Sequence, residues 1–385
     1  MPAYITAMGR FLPGDPVPNE EIEDYIGSVG AASSLLRERI LDSCGITSRY
    51  YAIDKQRRTL FSNTDMAVAA VRQAVDRSGI TVDDIDLIAA GTAVPDLIAP
   101  GIASGIHGQL GGPPCEIVTT HGICSTGMMA LKNAYLQVAA GEKKNAIACA
   151  SELASRFLKS DRFADVRPIS EDGAIAMEMA FLRYMLSDGA GAALVQDRPA
   201  AGGVSLRIDW ISLTSYASTE QTCMYMGAAD GAVDGGAGHS WWDYPSAAEA
   251  AVEGTLALRQ NLGLLPHLVR IGVREYQRLL KEGRFDPDEL AWFPAHYSSE
   301  RMKSMVLKEI ERKKVRGPSV EKWYSNLTRV GNMGSASIYV ILEEMLREGL
   351  VAAGDKLLVM VPESGRFAVS FAHLTAVGAG FAEEA

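Results

Sequence analysis

Three residues of this chain have the type and setting that acyl-group chemistry requires. Cys124 stands in GICSTGMM, after the β-rich run EIVTT and before a segment crowded with small residues. The pattern predicts a strand feeding a helix, with the sulfur at the helix N-terminus. Amides there stabilise negative charge, which favours the thiolate and can hold a developing oxyanion when a thioester is attacked. A free cysteine is otherwise a small buried hydrophobe. Cys44, Cys115, Cys149 and Cys223 lack such a turn and are read that way. His296 closes LAWFPAH at an expected strand C-terminus, where α/β sheets place their chemistry. His121 competes, three residues before Cys124, but on a strand or tight turn its ring would not face the sulfur. His107, His239, His267 and His373 read as structural or exposed. Asn332, in VGNMGS, offers an amide donor that polarises a carbonyl without being consumed; alone, Asn-Met-Gly reads as a turn or cap.

Asn332 draws its weight from a repeat. Residues 83–152 contain DDIDLIAAGTA, then GICSTGMMALKNAYLQVAAGEKKNAIACASE. Residues 288–364 contain DELAWFPAHYSS, then RVGNMGSASIYVILEEMLREGLVAAGDKLLVMVPES. Each begins with an acidic turn and a short apolar run suited to a strand buried on both faces. Each continues to a glycine-flanked polar residue, a helix, VAAG as a helix stop and a second buried strand. Asn332 thus holds in the second copy the place of Cys124 in the first. Helices opening with Ser, Thr, Gly and Ala let backbones approach closely, which predicts that both lie between layers with their N-termini together. The expected organisation is an α/β fold of two duplicated halves, 1–198 with the cysteine and 199–385 with His296 and Asn332. They meet near the turn-rich Gln196–Gly203.

Bulk properties narrow the function classes. The 385 residues are 48% hydrophobic and 22% charged, with no apolar run long enough to cross a bilayer. The N-terminus lacks a basic region followed by an apolar stretch, so no signal peptide is expected. The five scattered cysteines show no CxxC pairing, against a disulfide framework or zinc site and in favour of a reducing cytoplasm. A net charge of −10 argues against nucleic acid. The basic run from Arg301 to Arg316 reads as a solvated helix face or a dock for a small acidic protein.

Taken in order, the motifs resemble the β-ketoacyl-acyl-carrier-protein synthase III (KAS III-like) condensing enzymes of the thiolase superfamily. They are GRFLP…NEEIE, GITSRYYA, the cysteine turn, SDGAGAALV, PAHYSSERM, VGNMGSASI and AVGAGF. The resemblance spans nearly the full length. It implies a layered αβαβα arrangement with mixed, mostly parallel sheets, a homodimer, no cofactor and no metal. It implies Cys124 as nucleophile and His296 with Asn332 as the pair acting on the second substrate. Through AVGAGF it implies the backbone amides of Cys124 and Ala379 as oxyanion hole. Arg301 falls at a carrier-docking position. Arg39 and Ser43 stand where CoA-using members carry Trp and Arg, so acyl carrier protein is expected over CoA. HYSS in place of the common HQAN suggests a specialised branch of secondary metabolism, including dialkylresorcinol-type condensations. The Met-bearing stretch Phe157–Leu186 reads as packing or an acyl tunnel, and the loop Thr214–Ser246 as a surface insertion or a lid.

Rival readings keep parts of this pattern. An O- or N-acyltransferase shares the acyl-cysteine but has no use for an enolate-stabilising amide at Asn332. An inactive subunit of a heterodimer would not need all three residues. A papain-like protease has Cys, His and Asn in that order, but the repeat and the missing CGSCW-like motif oppose it.

Overall fold

The computed structural model describes residues 1–29, 31–164, 166, 176–228 and 240–379. Gly235, Gly236 and His239 lie outside the described residues.

Ten strands form one sheet: β1 (Tyr4–Phe11), β2 (Leu87–Thr92), β3 (Glu116–His121), β4 (Asn145–Glu152), β5 (Gly189–Gln196), β6 (Val204–Ser215), β7 (Leu290–Pro294), β8 (Trp323–Tyr324), β9 (Lys356–Glu363) and β10 (Ala368–Gly378). Their spatial order is β8-β7-β9-β10-β6-β1-β5-β4-β2-β3. The first five strands run β1-β5-β4-β2-β3 outward from the middle, and the last five run β6-β10-β9-β7-β8, the same order. Parallel pairs join β2 to β3 and β4, and β7 to β8 and β9. Antiparallel pairs form the centre, where β1 meets β6 through Tyr4↔Arg207 and Ile5↔Leu206.

Side chains that alternate along each strand divide the molecule into layers. On β4, Ile147 and Cys149 pack in a cluster with α1 (Asn63–Asp76) and α2 (Ile102–Leu110). Ala146, Ala148 and Ala150 instead join a second cluster with α3 (Thr126–Ala139) and α6 (Ser337–Arg347). Leu357, Val359 and Val361 of β9 face that same cluster. Leu358 and Met360 turn to α4 (Leu265–Lys281) and α5 (Glu300–Lys313). Five layers result, α1/α2, half-sheet, α3/α6, half-sheet and α4/α5: the αβαβα arrangement expected.

The small residues of α3 have the role expected of them. A Cβ on Gly127 would overlap the Ser335 carbonyl oxygen, and the Tyr339 hydroxyl donates to the Gly127 carbonyl at 2.8 Å. Only glycine lets the two central helices approach this closely.

Candidate active site

Each central helix is entered through a turn, and the two turns are brought together. Cys124 lies between β3 and α3 with Ser125 at the N-cap, so it precedes the helix rather than opening it. Asn332 follows Gly331, whose φ of +72° and close approach to Ser187 and Arg49 exclude a side chain. Cys124, Asn332 and Ser298 share the walls of a partly open cavity with about 530 Å³ of empty space, completed by the apolar Phe157, Met185, Met224 and Leu258. His296 follows β7 and is 3% exposed, its N–H donating to the Met360 carbonyl at 3.0 Å. It stands two residues before Ser298 and is not itself a wall residue.

The asparagine is held with its donor end available. Its N–H donates to the Met185 carbonyl (3.2 Å) and its carbonyl accepts from Ser187 (2.8 Å). Its side-chain Oδ1 accepts from the Gly334 N–H at 2.8 Å, which fixes the orientation of the amide. Among the described residues Nδ2 meets only the Met185 sulfur, at 3.7 Å, a weak acceptor that a carbonyl oxygen would outcompete.

Two buried glutamates complete the site, and neither was among the residues singled out from sequence. Glu363 ends β9, and its Oε2 accepts the N–H groups on both sides of Cys124, Ile123 at 3.3 Å and Ser125 at 2.9 Å. Glu152 ends β4 and is a wall residue of the cavity. It accepts from Ala93 N–H (3.0 Å), from Ser335 N–H (3.4 Å) and from the Ser335 hydroxyl. Their only sequence signal is that both repeat strands end in glutamate, ASE and PES.

The surroundings of Cys124 reverse the expectation of an acidic thiol. Burial pushes the Cys124 thiol above its ordinary value, and the charges of Glu363 and Glu152 add to the effect. The amides expected to favour a thiolate are occupied by Glu363. Burial also raises Glu363, and raises Glu152 to about 7. His296 is pushed by burial down to about 4, so it is a neutral imidazole near pH 7.

The structure corrects the Ala379 assignment. Residue 379 is exposed, just beyond the end of β10 that pairs Gly378 with Val204. The cysteine turn adjoins the opposite end, where Glu363 pairs with Ala368. At about 3.3 Å per residue the eleven-residue strand separates the two by about 33 Å. The Ser364–Gly365 turn occupies the place beside Cys124: Ser364 lines the cavity, and a Cβ on Gly365 would stand 3.0 Å from Ile123. Arg301 lies in a neighbouring cleft of about 970 Å³ with Arg39, Ser43, Ser299 and Met177. Met185 lines the Cys124 cavity, and Met179 is core. Among the described residues no cluster of His, Cys, Asp and Glu is arranged to hold a metal ion, and no helix is long and apolar enough to cross a membrane.

Ten strands in two equivalent fives around paired central helices define the thiolase fold, and the known proteins agree. Residues 280–369 match the family described as 3-oxoacyl-[acyl-carrier-protein (ACP)] synthase III C terminal. The β-ketoacyl-[acyl-carrier-protein] synthase III of Xanthomonas oryzae pv. oryzae is 25% identical over 356 residues, covering 92% of this chain and 93% of that protein. Among solved structures, AbyA1, a tetronic acid condensing enzyme, superposes with a TM-score of 0.75 at 19% identity, over 97% of this chain and 100% of that one. Xanthomonas campestris OleA, with lauric acid and lauroyl-CoA bound, gives 0.74 at 17% identity, over 97% and 99%. The chain therefore has the thiolase fold, its residues 280–369 match the C-terminal part of the 3-oxoacyl-[acyl-carrier-protein] synthases III, and along nearly its whole length it is similar to these enzymes.

Proposed function

We propose that Cys124 takes an acyl group from a thioester and that His296 and Asn332 activate a second thioester, malonyl or β-ketoacyl, whose carbanion attacks the acyl-cysteine. The observation that carries this reading is the shared cavity of Cys124 and Asn332, with the asparagine's Nδ2 left available. In loading, a bond forms between sulfur and the acyl carbon, the donor thioester bond breaks, and the proton of Cys124 leaves with the carrier thiol. The oxyanion donors are the Cys124 N–H and a backbone N–H of the Ser364–Gly365 turn. In condensation, loss of carbon dioxide from a malonyl thioester, or of a proton from a β-ketoacyl one, leaves an enolate. The Asn332 amide and the neutral imidazole N–H of His296 stabilise its oxygen. A carbon–carbon bond forms and the Cys124 thiolate departs.

Acyl carrier protein is the donor we favour over CoA, because Arg39, Ser43 and Arg301 give the neighbouring cleft cationic and polar groups for a phosphorylated arm and an acidic carrier. The residues 1–198 and 199–385 form the two halves of the enzyme in this reading. A homodimer would cover the exposed edge of β3, where Ile117 is 41% exposed, and the neighbouring Leu97 and Ile98 at 60% and 72%. The altered HYSS and Arg39/Ser43 positions support a place in secondary metabolism.

Intact-protein mass spectrometry with acyl carrier protein and acyl-CoA donors tests the reading. The wild type should gain the acyl mass and Cys124→Ala should not. Malonyl or β-ketoacyl thioester should then discharge the adduct to a longer product. Discharge by alcohols or amines alone would replace condensation with acyl decoration, and no adduct with any donor would remove the nucleophile.

A further inference from the structure

The apolar side of the Cys124 cavity contains one polar atom without a partner. Gln260 lines that cavity and is 2% exposed, and its Oε1 has no hydrogen bond. The nearby thiol of Cys223 is committed elsewhere. Cys223 donates its thiol proton to the Asn261 carbonyl at 3.3 Å, so it offers Oε1 no hydrogen. The backbone here is held in register by the antiparallel pair Gln260↔Met224. A buried acceptor with no donor is an expensive arrangement in an otherwise apolar wall, and it is relieved when a ligand supplies the donor.

We propose that Gln260 selects the acyl group, accepting a hydrogen bond from a hydroxyl carried on the chain that Cys124 holds. The inference rests on the acyl-cysteine reading and adds the substrate class: hydroxyacyl thioesters. The carrier arm is the other source of a donor, through its amides. Gln260 is surrounded by Leu258, Phe157, Met185 and Met224, the wall suited to a hydrocarbon chain, and it is absent from the cleft of Arg39, Ser43 and Arg301. A site built to accept a hydrogen bond discriminates strongly against an analogue lacking the donor, because its own group is then left unpaired.

The experiment measures rates of Cys124 acylation by intact mass for thioesters of one chain length, unsubstituted or hydroxylated at successive positions. Wild type is compared with Gln260→Met, which keeps the bulk and removes the carbonyl. One hydroxylated isomer should load at least about tenfold faster than the plain chain in the wild type. Gln260→Met should bring that ratio near one while loading the plain chain at least as fast, which also shows that it folds. Simple alkyl thioesters in place of the amide-bearing arm should leave the ratio unchanged, and its collapse would reassign Oε1 to the arm. Equal loading of plain and hydroxylated chains by the wild type, or a preference surviving in Gln260→Met, would overturn this inference alone. No adduct on Cys124 with any chain would overturn the acyl-cysteine reading and this inference with it.

Discussion

The turns at Cys124 and Asn332 occupy the same place in two copies of one strand order, and both are gripped by a glutamate from the opposite half. Glu363 of β9 holds the amides of Ile123 and Ser125, while Glu152 of β4 holds Ser335, three residues past Asn332. The difference lies in what each grip leaves open. At Asn332 the backbone is pinned to Met185 and Ser187, Glu152 engages the helix start beyond it, and the Nδ2 donor stays uncommitted to any strong acceptor. At Cys124 the carboxylate takes the flanking amides themselves; burial raises the thiol, the adjacent negative charge adds to it, and the sulfur remains a thiol at rest. The same scaffold thus presents an uncommitted amide donor in one copy and a restrained thiol in the other. The imidazole of His296 is uncharged near pH 7, so it adds no cation to this part of the molecule.

Erasing the difference should have the largest effect. Cys124→Asn gives both turns an amide, and acyl loading should fall below detection by intact mass while circular dichroism remains that of the wild type. A loaded variant would mean that another residue carries the acyl group.

Removing the grips should produce a smaller effect on the whole molecule. Glu363→Ala and Glu152→Ala each leave several buried donors unpaired and should each lower unfolding free energy by about 2–4 kcal/mol in urea titrations. Glu363→Gln keeps an acceptor and removes the charge. It should preserve stability and raise the rate of Cys124 alkylation by iodoacetamide at pH 7 several-fold, since removing a neighbouring anion lowers a thiol's pKa. An unchanged alkylation rate would show that burial alone restrains the sulfur.

The smallest effect separates Glu152 from His296 by pH. Between about 4.5 and 7 folded Glu152 keeps a proton that the unfolded chain has released, so its contribution to stability falls as pH rises. Between about 4 and 6.5 the unfolded chain binds a proton that folded His296 lacks, so that contribution rises with pH. The two slopes oppose each other over their shared window. Glu152→Gln should therefore show a steeper rise in urea midpoint from pH 4.5 to 6.5 than the wild type, and His296→Gln a fall.

Much of this architecture is legible in the repeat. Matching strand and helix order across residues 83–152 and 288–364 places Cys124 and Asn332 in equivalent turns, and the small residues of α3 announce the close helix crossing at Gly127. What escapes is whatever depends on register and on partners far along the chain. Glu363 is 240 residues from Ile123, and nothing local to the cysteine reveals the carboxylate that occupies its amides. The AVGAGF segment carries Ala379 to the wrong end of β10 because motif likeness does not encode the direction in which a hairpin returns. Gln260 has no counterpart in the repeat, and its importance rests on an unpaired atom that only packing exposes.

The most direct test of the account preloads Cys124 with an acyl group and follows its fate on adding malonyl thioester, comparing wild type with Asn332→Ala. The wild-type adduct should disappear with release of a longer β-ketoacyl product. The variant should load normally but discharge about 10²–10³-fold more slowly, the usual loss when one oxyanion donor is removed. Discharge at the wild-type rate would contradict the role given to Asn332, and with it the paired-turn account of this site.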